Sequence, residues 1–299
     1  MIITIIQIVF FQLVLPALFV ITLWRGTRKS KLDWLVQALF TTLYISWLFM
    51  TAPWDFLSYY LRYVWVLLLI GALIFSYMEV RDKPVKVAFD KGEKWSFVLY
   101  VFLVFVFGFY NVQALSGFSA GEKAIELEFP LKNGAYYIGQ GGAHVQLNYH
   151  HAYESQQYAL DIVKLDRWGV RATGIYPGEL SKYRIYGEAI YNPCTGKVTE
   201  VEKDLPDLTP PNTNPEKAAG NHVILQCEGV DAEVLIAHMQ QDSLTVDAGD
   251  EIEAGMKLGL VGNSGNTSEP HVHIHAERDG VGIPITFNGS FLVRNSLVW

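Results

Sequence analysis

Histidine is absent from the first 143 residues, and cysteine is scarce throughout, with only Cys194 and Cys227 in 299 residues. Cationic charge is also in short supply: 23 Lys and Arg stand against 30 Asp and Glu, for a net charge of −7. That balance, with no long basic run, excludes nucleic acid as an expected partner, because phosphate binding needs Lys and Arg to replace counterions. No basic stretch precedes the first apolar run, which argues against a cleavable signal peptide. The two cysteines lie in the same half of the chain as the eight histidines. An even pair suggests one disulfide if that half is outside the cytoplasm, and two buried free thiols are the alternative.

What the first third has in abundance is apolar and aromatic sequence. A spanning helix needs about 20 mostly apolar residues, since its backbone polar groups must be satisfied within the segment. Four runs qualify, at about 2–24, 34–52, 60–77 and 95–112, each flanked by charges, prolines or interfacial aromatics such as Trp24-Arg25 and Pro53-Trp54. No cluster of charges inside them marks a transport path, so they read as an anchor in the lipid bilayer. Arg25, Arg28, Lys29 and Lys31 follow the first run, and Arg81, Lys83, Lys86, Lys91 and Lys94 lie between the third and fourth. Basic loops stay inside. The N-terminus and the region after the fourth run are then expected outside.

Beyond a linker around 116–123 the pattern changes to short β-prone runs broken by Gly, Pro and Asn: 124–129, 158–164, 196–201, 222–226, 233–238 and 271–277. No amphipathic helix separates them, and an antiparallel β domain is expected. The whole is therefore read as multi-domain: transmembrane helices over 1–115, a linker and leading strand over 116–135, and a β-rich domain over 136–299. Residues 204–220 hold four prolines and read as an exposed loop able to border a groove. Residues 246–261 read as two turns with Gly249 and Gly255 at the bends. Lipoyl- or biotinyl-carrying barrels have a similar cadence, but Lys257 does not match their modified lysine.

The sharpest motif is the Gly/Asn/Ser-rich turn of residues 262–268 followed by His271-Val-His273-Ile-His275. Side chains alternate along a strand, so these three histidines share a face and can converge on a metal or its water. Imidazole and carboxylate donors with an open position suit catalytic zinc. Asp161 interrupts the apolar run 158–163, a costly placement unless the carboxylate is paired or ligating. His150-His151 precede it, and His238 ends the apolar run Leu235-Ile-Ala.

Together these elements resemble the lysostaphin-like family of zinc endopeptidases, many of which cut peptide bonds in bacterial peptidoglycan; the resemblance covers roughly 136–277. It implies Zn2+ held by Asp161, His273 and an upstream histidine, with His238 and His271 as catalytic residues. The family places the upstream histidine four residues before the aspartate, where this chain has Gln157. The expected substitute is His150, which follows the strand-like Leu147-Asn-Tyr, with His151 as the alternative. His271 is expected to take a proton from water and His238 to donate to the developing oxyanion, or the reverse; His275 would orient a ligand or lie exposed. The implied function is a membrane-anchored zinc metalloendopeptidase acting on peptidoglycan stem peptides or cross-bridges; the alternative is a non-catalytic wall-binding or regulatory module of the same fold.

Overall fold

The computed structural model describes residues 2–121 and 123–299. The chain divides into two compact units, Met1–Trp54 with Tyr60–Leu115, and Asp55–Tyr59 with Ser116–Trp299. The five residues Asp55–Tyr59 thus belong to the second unit although helices of the first flank them.

Among the described residues, the first part of the chain contains four helices long and apolar enough to cross a membrane: α1 (Ile2–Arg25), α2 (Lys31–Thr51), α3 (Leu61–Val80) and α4 (Lys91–Ser116). Large apolar side chains such as Ile3, Leu67 and Phe105 point outward, as suits helices solvated by lipid rather than water. Polar caps set the ends. Ser30 accepts from the Asp33 amide at the start of α2, and Asp90 and Glu93 form a reciprocal capping box at the start of α4, at 2.9 and 3.0 Å. α2 and α4 therefore begin three to four residues before the apolar runs, because hydropathy marks the span and capping marks the helix. Within α1 a π-helical turn over Phe10–Val14 loosens the backbone ladder. The Gln12 carbonyl there accepts from the Trp65 indole at 2.9 Å.

The second unit is built on one large antiparallel sheet. Its main strands are β1 (Ala135–Gln140), β2 (Leu160–Leu165), β3 (Gly196–Glu202), β4 (Asn221–Cys227), β5 (Glu233–Met239) and β6 (Val272–Arg278), in spatial order β1-β2-β6-β5-β4-β3. Short strands Leu297–Val298 and Glu251–Ile252 close the two ends. One face is the core: Ile138, Leu160, Ile162, Val223, Leu225, Val234, Ile236, Val272 and Ile274 are buried together. Each such side chain contributes about 1.5–3 kcal/mol on burial, so the alternation fixes the register and leaves Asp161, His273 and His275 on the opposite face. Cys194 and Cys227 form a disulfide beside the β3–β4 pair, and Gly249 and Gly255 take positive φ at the two expected bends.

One expected element differs. His150 lies in a short 3-10 turn, Tyr149–Ala152, rather than a strand-like run. The cause is Asn148, fully buried, whose side-chain Oδ1 accepts from the His150 amide at 3.2 Å while its Nδ2 donates to the Gly142 and Ala159 carbonyls at 3.1 and 3.0 Å. A side chain that bonds its own local backbone competes with strand pairing.

Candidate metal centre and active site

β2 and β6 are neighbours, and their register sets Asp161 directly opposite His273. Side chains so paired on one face meet. His273 Nδ1 is 2.9 Å from Asp161 Oδ1. The 3-10 turn then delivers His150 from outside the sheet, with Nε2 at 3.0 and 3.1 Å from the two Asp161 carboxylate oxygens. All three side chains are buried.

His271, just before β6, reaches the same carboxylate, its Nε2 3.4 Å from Asp161 Oδ1. His238 arrives by a different route. On strict alternation along β5 it would share the core face with Ile236, but its φ of 62° turns the chain at that point. The ring then comes to 4.9 Å from that of His271 and 5.8 Å from that of His273. A non-glycine residue in this left-handed region is uncommon and is kept only where the surroundings hold it. Here the His238 amide donates to Ala219 at 2.9 Å and its carbonyl accepts from Gly262 at 3.1 Å. Gly220 makes this possible: at φ +62° a Cβ there would fall 2.2 Å from the Ser264 carbonyl oxygen, the very atom that His238 needs.

The outward nitrogens fix the tautomers. His238 Nδ1 donates to the Ser264 carbonyl at 2.9 Å, and His271 Nδ1 to the Glu269 carbonyl at 2.9 Å; a carbonyl only accepts, so Nε2 of each faces the site. His273 Nε2 pairs with His275 Nδ1 at 2.9 Å. Burial pushes His275 down to about 3, so it is neutral at pH 7 and can stand on either side of a hydrogen bond to His273.

Burial favours a neutral Asp161, but the facing His150 and His271 outweigh it and hold the carboxyl well below its ordinary value. Burial, with the charges of His271 and His273, keeps His238 well below the ordinary imidazole range. Loss of solvent around the partly buried His271 lowers it, yet the Asp161 carboxylate outweighs this and raises it.

His150, Asp161 and His273 form one group whose donor atoms lie within 4.8 Å of one another; His238, His271 and His273 form a second. The first fits zinc by chemistry. It combines two imidazoles with one carboxylate, and tetrahedral bonds of about 2.0–2.2 Å put donors about 3.4 Å apart, close to the separations above.

A cleft of about 410 Å3 opens on this cluster, walled by Tyr149, Tyr153, Gln156, Ala219 and Asn266 beside His150, His238, His273 and His275. The end of the 204–220 loop thus borders the groove as expected. Its middle is pinned: Asp207 accepts from the Asn263 amide at 2.7 Å, and Leu208 donates to the Asn263 carbonyl at 3.0 Å.

The remaining histidines lie elsewhere. His151 Nδ1 meets the Gln157 carbonyl at 3.0 Å, and His222 pairs with Glu200. Gln157, at the position where the resembled family has its histidine, donates its amide to Gly282 at 3.3 Å. Asn148 was not singled out from sequence, although an Asn ahead of a turn is a recognisable cap. Ser264 and Glu269 contribute carbonyls alone to the imidazoles, and side-chain identity carries no signal for that.

Residues 182–284 match the family model described as peptidase family M23, so the second unit carries a peptidase M23 domain. The matched stretch contains His238, His271 and His273 and begins beyond His150 and Asp161. Among similar solved structures are a zinc-containing peptidase from Vibrio cholerae (18% identity, TM-score 0.34, covering 54% of this chain and 39% of that one) and lysostaphin in solution (16%, TM-score 0.27, 45% and 40%). A third is the catalytic domain of lysostaphin from Staphylococcus simulans (20%, TM-score 0.24, 35% and 75%). The alignment thus spans well under two thirds of the first two proteins.

Proposed function

We propose that the chain is a membrane-anchored zinc metalloendopeptidase that hydrolyses peptide bonds of peptidoglycan, in stem peptides or cross-bridges. The observation that carries this reading is the convergence of His150 Nε2, the Asp161 carboxylate and His273 Nδ1, beside a cleft lined by His150, His238 and His273, with His271 against both Asp161 and His238.

In this reading His150, Asp161 and His273 hold the zinc. When bound, zinc supplies Lewis-acid polarisation of the scissile carbonyl and lowers the pKa of water toward about 7. His275 keeps His273 in the ligating tautomer. His238, neutral and with its Nδ1–H committed to Ser264, offers a lone pair at Nε2 and takes the proton of the attacking water. His271, whose affinity for a proton Asp161 raises, donates from Nε2 to the oxygen of the peptide carbonyl as it gains charge. The C–N bond then breaks, and the amine leaves with the proton that His238 held. Of the two assignments that the sequence leaves open, the contrast in electrostatic setting of the two rings supports this one.

The lysine and arginine distribution puts the two basic loops inside and the β unit on the extracytoplasmic side of the membrane, where a disulfide such as Cys194–Cys227 persists. That is the compartment of a wall substrate. The test is incubation of the full-length chain, in detergent, with purified peptidoglycan and mass analysis of what is released. Chelator-sensitive appearance of new amino termini supports the reading. Binding without release would favour the regulatory module instead.

A further inference from the structure

The loop Asp55–Tyr59, between the two spans α2 and α3, is built into the β unit rather than passing over it. The Arg171 amide donates to the Asp55 carbonyl at 3.1 Å and the Tyr59 amide to the Gly169 carbonyl at 2.8 Å. Ser58 Oγ donates to the Trp168 carbonyl at 2.8 Å. Tyr59 packs with Tyr137, Val163 and Leu165, residues that share with Asp161 the face of the sheet opposite the core.

At the centre of this contact is a triad of charges, two of them buried and Glu269 partly so. Arg171 is 2% exposed and Asp55 4%. Arg171 Nε lies 3.4 Å from Asp55 Oδ2 and donates to Glu269 Oε2 at 3.0 Å, and Nη2 donates to the same Glu269 oxygen. The Phe56 ring lies against the guanidinium, 3.3 Å from Cζ, and stacks on Tyr176, whose hydroxyl donates to the Ser268 carbonyl at 3.1 Å. Two independent contacts therefore run from this loop to the turn 267–271. Glu269 is the residue whose carbonyl receives His271 Nδ1–H, and Thr267 Oγ1 donates to that carbonyl as well, at 2.8 Å.

Burying the Arg171–Asp55 pair is costly, and what the contacts of Arg171 and Tyr176 hold is the Glu269 side chain and the Ser268 carbonyl. From this chain of contacts we infer that Arg171, held by Asp55 and Phe56, is a positioning residue that sets His271 through Glu269. The inference deepens the peptidase reading and rests on it for its kinetic readout.

The test uses the full-length chain in detergent, loaded with zinc, and compares wild type with Asp55→Asn, Arg171→Lys and Arg171→Met. Asp55→Asn keeps shape and removes charge; Arg171→Lys keeps charge but loses the planar fork. For Asp55→Asn the expected result is a fall in kcat of about tenfold, with KM within about twofold and zinc retained, since a catalytic group displaced by a fraction of an ångström loses rate rather than affinity. Amide hydrogen exchange in 266–271 should quicken about tenfold at a temperature where the chain is folded. Arg171→Lys should fall between wild type and Arg171→Met. Unchanged kcat and unchanged exchange in Asp55→Asn, even with a lower Tm, would overturn the inference and leave the triad a matter of stability; so would loss of zinc in that variant. If wild type turns over no peptidoglycan, the peptidase reading fails by itself, and exchange in 266–271 still decides the positioning claim.

Discussion

His150 Nε2 and Asp161 Oδ1 meet at 3.0 Å across a segment in which they are eleven residues apart. Because the buried Asn148 side chain shapes the turn that presents His150 and turns His151 toward the Gln157 carbonyl, the two adjacent histidines have opposite fates. His150→Ala should lower zinc affinity by on the order of 100-fold or more, while His151→Ala should leave it within a few-fold. Competition with a chromogenic chelator checks both. Equal losses would contradict the assignment.

His275 Nδ1 sits behind His273, 2.9 Å from its Nε2, where it can accept when His273 Nδ1 ligates a metal. Removing a group that orients a ligand typically costs about 10–100-fold in metal affinity. His275→Ala is expected in that range, and His275→Gln, which can still accept from His273, closer to wild type. The same chelator competition applies; indistinguishable values for wild type and His275→Ala would show that His273 needs no partner.

Much of this arrangement was legible in the sequence, and the reason is the two-residue period of strands. Alternation of Val272, Ile274 and Ala276 with the histidines announced both the buried face and the ligand face of β6, and an aspartate in the apolar run of β2 announced a paired carboxylate. What alternation could not give was any position where it breaks. His238 faces the site only because its backbone turns left-handed, and His150 only because a capping asparagine replaces strand pairing with a 3-10 turn. The Arg171 triad was illegible for another cause: Asp55, Arg171 and Glu269 are distant in sequence, and only the tertiary fold brings a loop between two membrane helices into the β unit.

Asp55 also predicts a dependence on pH. Burial pushes its pKa up from 3.8 to about 6, against the pull of Arg171. The folded state therefore binds more protons than the unfolded chain between those values, so the contribution of Asp55 to stability grows as pH falls through about 6 toward 3.8 and is lost as pH rises again. The difference is at most about 3 kcal/mol. Thermal unfolding of wild type and Asp55→Asn at pH 7 and pH 4 checks it: wild type should gain on the variant at the lower pH. Parallel behaviour of the two would contradict a raised Asp55.

The most direct measurement of the central claim is metal content by elemental analysis of the full-length chain, so that Asp55–Tyr59 is present, for wild type, Asp161→Ala and His273→Ala, each also assayed for peptide release from peptidoglycan. The account predicts about one zinc per wild-type chain, lost together with hydrolysis in both variants. A folded wild-type chain that binds no zinc and releases nothing would contradict it.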